Sequence, residues 1–477
     1  PIIKDKVFFF VGYEENEKSL PGLYGTKDSG AQNPASVVTT ALAEEIRQFT
    51  IANYGGYDPG YANLVTFPET HEEWTLKIDA VLSDDHRATF NVSHSEDLTP
   101  QRYNNWSRVV FSNNWYYKPP EIDRASITLY SDWSDRLSTK FKYTSYEMEE
   151  DDASYGDDFF PEMNITVRDP VTGDRDNVFL GGDRYRGANL INVESEFLTL
   201  KADYNMDDHV YTIGYESDNS DVVNLFIARY NAEVRFNSFE DYKIGKWSRL
   251  RIHEPYAGHD AVQSMAADFE VEKKSFYIQD RWFVNSDLTV QYGLRYDSVL
   301  TPQAPATNVN FVKEYGFSNA SKFDFEVLQP RFSFNMDVSE SLFGNNDMVV
   351  AATLRGGRGL FMGRIPRVWY GNAYSRTGAT GDYRGWFSFD ETASNFPGYM
   401  PVGSDPTAFW LTPPSKYVVP DGSNPYGVAQ STDANFEAPS SWRTALALDV
   451  ITQGGWDVTL EYNLDQVRQA VFFRDLG

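Results

Sequence analysis

Two histidine–carboxylate stretches are the first places to look for chemistry. His71-Glu72-Glu73, and His253-Glu254 with His259 close by, carry residue types that hold divalent metals. A helical zinc site needs two histidines one turn apart, as in H-E-x-x-H, and neither stretch has that spacing. Solvated loop histidines are the expectation. Gly356-Gly357-Arg358-Gly359 is rich enough in glycine for a phosphate loop. Yet Met362 stands where G-x-G-x-x-G needs its third glycine, and no helical pattern follows. No G-x-S-x-G and no Walker motif is found, and no nucleophile–base pair emerges. Neither an enzyme nor a cofactor is therefore expected. Asp169, Asp174 and Asp176 offer hard oxygen ligands for calcium, without the spacing of an EF-hand. The competing reading is a solvated acidic loop.

Recognition is the other chemistry on offer. Trp106, Trp115, Tyr116 and Tyr117, then Trp369, Tyr370, Trp386 and Trp410, fall in long polar segments together with Arg358 and Arg364. Exposed rings give large contact area at little entropy cost, so they suit a ligand platform. The alternative is that they pack the loops on one another or sit at a membrane interface.

The elements that carry these segments are strands. Across 288–297, Leu288, Val290, Tyr292, Leu294 and Tyr296 alternate with Thr289, Gln291, Gly293, Arg295 and Asp297. Only a β-strand puts successive side chains on opposite faces, here one apolar and one polar. The preceding run from Ser275 turns back at Asn285-Ser286-Asp287, which reads as a hairpin. Runs of about ten residues or more suit a tilted bilayer crossing better than a soluble sandwich, whose strands average about five or six. The same unit recurs along the chain, giving roughly thirteen antiparallel strands and no βαβ crossover. Lys77, Asp79, Gln291, Arg295, Asp297 and Arg331 fall on the polar face. They are expected to line a lumen and to pair across it, or with a plug.

The connections alternate in kind. Short Asp/Asn/Gly turns lie at one end, and long loops at about 19–70, 99–121, 147–190, 217–268, 301–325 and 358–440 lie at the other. This is the asymmetry of an outer-membrane barrel, with periplasmic turns and extracellular loops. The fold class expected is all-β: one large antiparallel transmembrane barrel spanning 1–477. Bulk properties agree. Of 477 residues, 16% are aromatic, enough for girdles at two interfaces. Mean hydropathy is −0.49, and no run approaches a transmembrane helix. The net charge of −27 argues against nucleic-acid partners, and the absence of cysteine rules out disulfides and thiolate metal sites.

Five blocks, in order, resemble TonB-dependent outer-membrane receptors, and in particular the Oar-like group. They are PIIKDKVFFFVGYEE; YIQDRW with LTVQYGLRYD; QPRFSFNMDV with LRGGRGLFMGRIPRVWYGNAYSRTG; PSSWRTALALDV; and GGWDVTLEYNLDQVRQAVFFRDL. The resemblance implies a barrel of about 22 strands with a plugged lumen, of which this chain would supply the third to fifteenth. Both ends then look cut, because no plug, TonB box or closing aromatic strand is present. It further implies active import of a bulky, scarce nutrient, with the bilayer, lipopolysaccharide and the TonB complex as partners. A passive porin-like channel and a surface adhesion or structural barrel are the rival readings. Siderophore, cobalamin, glycan and peptide ligands all fit.

Overall fold

The computed structural model describes residues 1–19, 22–63, 65–102, 109–156, 160–255, 264–344, 347–387, 398–404 and 429–476. Thirteen long strands follow one another in sequence order across a single antiparallel sheet. They are β1 (Val7–Ser19), β2 (Pro68–Val81), β3 (His86–Gln101), β4 (Glu121–Asp132) and β5 (Leu137–Asp151). Then come β6 (Asn189–Met206), β7 (His209–Phe226), β8 (Ala267–Phe283) and β9 (Leu288–Leu300). The last four are β10 (Phe325–Asp337), β11 (Val349–Met362), β12 (Ser440–Thr452) and β13 (Asp457–Gln469). Every neighbour is joined to the next by the expected alternation of short turn and long connection, and β1 and β13 form the two edges.

Register carries the alternation from strand to strand. Ile213, Ile278 and Leu294 lie side by side on the outer face, at 59%, 52% and 47% exposure. Apolar side chains left this open make sense only against lipid. Near the short turns, Trp133, Trp282 and Trp456 are exposed. Toward the loops, Tyr13 and Trp74 are exposed on the same face. These are the two aromatic girdles. Several strands then outrun the membrane. Beyond Trp74 the outer rows of β2 to β5 turn acidic, with Glu72, Glu96, Glu121, Asp123, Glu147 and Glu149 all exposed. A carboxylate on the lipid side is tolerable only above the hydrocarbon, so the strand ends stand in water.

Because the strands run so far, the connections differ from the sequence reading. β5 continues to Asp151 and β7 to Phe226, so the expected loops 147–190 and 217–268 begin inside strands. What remains is folded. Four connections supply a second, six-stranded sheet in the order Gly381–Phe387, Arg249–Pro255, Glu233–Phe236, Glu162–Arg168, Arg175–Leu180, Val109–Val110. A fifth supplies helix α1 (Thr40–Asn53), which Thr39 caps by accepting from the Leu42 amide. Its buried face of Ala43, Ile46 and Thr50 follows the helical period. These pieces share a core with Met163, Ile165, Val178, Phe236, Trp247 and helix α2 (Phe239–Lys243). Two buried polar handles of this core are satisfied. Trp247 Nε1 donates to the Gly398 carbonyl at 2.9 Å, and Tyr54 Oη to the Tyr242 carbonyl at 2.8 Å.

Helix α3 (Arg367–Ser375), from the β11–β12 connection, lies against the inner side of the wall rather than outside it. Tyr370, Ala373 and Tyr374 pack among the inward Val193, Val222 and Phe269. Arg367 donates to Ser220 Oγ at 3.0 Å. The wall thus carries a folded cap at its loop end, with one helix tucked inside the rim.

Candidate inner-face groove and loop pocket

The inner face of β8 to β13 borders a groove of about 1070 Å³. Its floor is bare backbone where Gly293 and Gly357 sit. A Cβ at either would come 2.6 Å from the Ile278 carbonyl or 2.7 Å from the Phe332 carbonyl. Above that floor stand four arginines, a local concentration of positive charge in an acidic chain. Arg331 lies over the Phe361 ring at 4.5 Å, and Arg443 approaches the same ring at 5.7 Å. Arg355 pairs with Asp449 at 2.7 Å, and Arg443 with Asp465 at 3.5 Å. Arg295 is held between Glu216 at 2.8 Å and Asp297 at 3.0 Å. Arg331 donates to Gln329 at 3.4 Å and has no acidic partner among the described residues.

Among the described residues, the inward charges pair with one another along the wall, within a strand or between strands close by. Lys77 meets Asp79 at 2.9 Å on its own strand, and Gln291 meets Gln279 at 3.2 Å on the next. A sheet sets adjacent side chains about 5 Å apart, so neighbours capture one another before a distant wall can.

The aromatic candidates separate. Tyr116 is buried beneath Arg186, whose guanidinium lies 4.0 Å from the ring. Tyr117 stands edge-on to Tyr155 at 5.4 Å, and Trp115 meets Phe67 at 5.6 Å. Tyr370, on α3, is buried between that helix and the wall, while Trp369 packs edge-on to Phe473 at 5.5 Å. These rings hold loops together. Trp386 sits opposite Leu250 on the edge strand of the cap, Arg364 is exposed just past β11, and Trp106 and Trp410 lie outside the described residues. Arg358 is not in a loop. It lies on β11 in the outward row between Phe332 and Thr444, over the Trp442 ring at 5.1 Å, and donates to Gln466 at 3.2 Å. Four residues from the strand's upper end, it can reach the headgroup level by snorkelling.

The cap holds a polar node that the sequence reading missed. Glu233, 1% exposed, is surrounded by Arg184 at 3.1 Å, Arg229 at 2.6 Å, Arg251 at 2.5 Å, Arg249 at 3.5 Å and Arg235 at 3.8 Å. Burial alone would raise its pKa, but Arg184, with Arg251 and Arg229, holds the carboxyl down to about 2. Arg184 also binds the buried Glu162. His253, expected as a solvated loop residue, is instead half-buried on the strand Arg249–Pro255. Desolvation, aided by Arg376 and Arg229, pushes it down to about 4. His259 lies outside the described residues. The available signal was the clustering of Arg229, Arg235, Arg249 and Arg251 within an acidic chain.

Asp183 makes a testable corner of this node. It is 3% exposed; Oδ1 accepts from the Tyr185 amide at 2.9 Å, whereas Oδ2 has no partner. Desolvation, then the nearby Glu162, pushes its pKa up to about 7. A raised carboxylate pKa favours the folded state fully below the unfolded value of 3.8, and that stability is lost as pH rises through 7. Asp183→Asn is therefore expected to stabilise the cap at pH 8, with the advantage fading toward pH 4. Each pKa unit is worth about 1.4 kcal/mol, but the new amide must itself be satisfied, so the net gain is on the order of 1 kcal/mol. Thermal melts of the two proteins across that range check it; a pH-independent difference would contradict the assignment.

A family model described as outer membrane beta barrel domain matches residues 1–471. The chain belongs to that family. Among solved structures, the outer-membrane β-barrel shares its fold with the outer membrane transporter YddB from Escherichia coli. The TM-score is 0.52 at 9% identity, covering 94% of this chain and 43% of YddB. The FrpB iron transporter from Neisseria meningitidis (F3-3 variant) matches at TM-score 0.47 and 10% identity, over 94% of this chain and 48% of FrpB. The chain thus spans less than half the length of either. No curated protein matches it.

Placed in the outer membrane, the barrel's acidic residues sort by height. Asp169, Asp174 and Asp176, read together as a calcium set, do not converge. Asp169 accepts from the Val171 and Thr172 amides in a tight turn, and Asp174 accepts from the Thr172 hydroxyl. Asp176 faces the other way and binds the amides of Ser36, Val37 and Val38. Among the described residues, the ligand-type atoms that do converge belong to His94, Glu121 and Asp123, on the barrel's outer face just above the Trp74 girdle.

Proposed function

We propose that this barrel is part of an active outer-membrane receptor that captures a bulky, scarce nutrient in its loops and passes it to the periplasm. The observation that carries the reading is the pairing of a large arginine-lined groove with a folded cap above it. A passive pore needs an open lumen. Here five connections are built into a body with its own core, and α3 lies inside the rim. Such a cap encloses a ligand and excludes small-solute leakage. The sequence blocks favour the Oar-like group of TonB-dependent receptors, which would make import depend on inner-membrane energy. The reaction is binding and release, with no covalent step.

The protein purified from outer membranes and placed in planar bilayers tests this. A receptor is expected to give no steady conductance. In cells, the solutes consumed by wild type but not by a disrupted strain should include one whose uptake a protonophore stops. Stable ohmic steps would overturn the reading in favour of a porin. Loss of attachment with unchanged consumption would make the barrel an anchor.

A further inference from the structure

Asp280 puts a carboxylate on the lipid-facing side of the wall. It lies on β8 in the same outward row as Ile278 and Trp282. Two residues from Trp282, it sits at the hydrocarbon edge of the girdle near the short turns. Tyr211 and Tyr292 stand directly opposite it on β7 and β9, and His209 stands opposite Trp282. Packed among these side chains, Asp280 is only 5% exposed. Its Oδ2 accepts from His209 Nδ1 at 2.8 Å and from Tyr292 Oη at 2.7 Å, while Oδ1 is buried with no hydrogen-bond partner. His209 is its ion-pair partner, and no lysine or arginine pairs with it among the described residues. The His209 ring lies within 2° of the Tyr211 plane and 8° of the Trp282 plane, each centroid 5.5 Å away.

An ionisable side chain at the lipid boundary is costly, and where one is kept it marks a functional contact. The carboxylate assigns the His209 proton to Nδ1, so the neutral ring keeps its lone pair at Nε2. That side chain is 27% exposed, and Nε2 makes no hydrogen bond among the described residues. An acceptor backed by a buried carboxylate and flanked by aromatic rings suits a cation that carries N–H donors. We infer that this node binds the primary ammonium of a phospholipid headgroup, in the leaflet at the short-turn rim. The ammonium donates to His209 Nε2, with the Tyr211 and Trp282 rings close by to share its charge. Asp280 is a positioning residue: it fixes the imidazole and supplies the attracting charge from behind it. The inference needs only that this face meets lipid, so it holds for a receptor, a pore or an anchor alike.

The test is native mass spectrometry of the detergent-solubilised full protein. It is incubated with equal amounts of phosphatidylethanolamine, phosphatidylcholine and phosphatidylglycerol bearing the same acyl chains. Phosphatidylethanolamine is expected to be retained about tenfold over phosphatidylcholine, the scale of one charge-assisted hydrogen bond, because the choline ammonium has no N–H to donate. Asp280→Asn and His209→Phe should each bring that ratio to about twofold or less, the loss of that bond. Gln279→Ala, on the inner face of the same strand, should leave it unchanged. Gel mobility shows which variants fold. Should Asp280→Asn and His209→Phe both misfold, Tyr211→Leu, which leaves the carboxylate and the imidazole in place, must lower the ratio. Wild-type protein that does not prefer phosphatidylethanolamine over both other lipids, or a preference that every folded variant keeps, overturns the proposal.

Discussion

Glu233→Ala is expected to unfold the loop cap while leaving the thirteen-stranded wall paired. Glu233 is the shared counter-charge for Arg184, Arg229, Arg235, Arg249 and Arg251, all within 3.8 Å. A surface ion pair would be worth less than about 1 kcal/mol, but this carboxylate is 1% exposed. Removing one partner from a buried ionic cluster leaves uncompensated charge and costs about 3–5 kcal/mol. The node also sits at the seam of the cap. Glu233 opens the strand Glu233–Phe236, which pairs on one side with Glu162–Arg168 and on the other with Arg249–Pro255. Glu233→Gln keeps one acceptor and should lose less. Limited proteolysis should cut the alanine variant within the cap segments, while the wall keeps its heat-resistant migration on gels. A cap as resistant as wild type in Glu233→Ala would show that the arginines are held by something else.

The wall and the cap were unequally legible in the sequence, for a physical reason. A wall strand is written locally: lipid on one side and polar lumen on the other impose a period of two. That is why Leu288 to Asp297 could be assigned to faces from spacing alone. The turns at Asn285-Ser286-Asp287 and Asp207-Asp208 are equally local. The cap is written in contacts between segments far apart in the chain. Glu162–Ile165 pairs in parallel with Glu233–Phe236, and Val109–Val110 with Val178–Phe179. Strands of two to seven residues are so short that even the alternation in Arg249–Pro255 and Glu233–Phe236 does not stand out from loop sequence. Among the cap elements, α1 carries a local mark in the helical spacing of Ala43 and Ile46.

The site candidates divided along the same line. Arg295, Asp297 and Arg331 lie on the face of the sheet opposite the exposed Ile278–Leu294 row, a placement set by parity within their strands. Arg358 was misplaced in a loop because the glycines around it look like loop sequence. In the structure those glycines are strand residues that leave the groove floor open. Asp176 looked like a metal ligand until the Ser36–Val38 amides, about 140 residues earlier, were seen to occupy it. Side chains whose partners are distant in sequence carry no local mark of those partners.

Facial assignment in the wall has its own sharp test. Ile278→Arg is expected to block assembly or destabilise the barrel, whereas Gln279→Arg, one residue away, is expected to be tolerated. Ile278 is 52% exposed and flanked in register by Ile213 and Leu294, both open on the same face. It sits four residues from Trp282, whose level marks the lower girdle, and two from Phe276 and its partner Tyr296 toward the upper one. That places it deep in the hydrocarbon, where an arginine on the lipid face costs about 2–4 kcal/mol. Gln279 faces inward among Thr212, Gln291 and Gly293, where water and polar groups receive the charge. Urea refolding into lipid vesicles, followed by gel mobility, measures both variants against wild type. Equal losses would mean that neither face meets lipid, and a larger loss for Gln279→Arg would turn the barrel inside out. The contrast is informative because the two substitutions share chemistry, strand and depth, and differ only in the side of the sheet on which they fall.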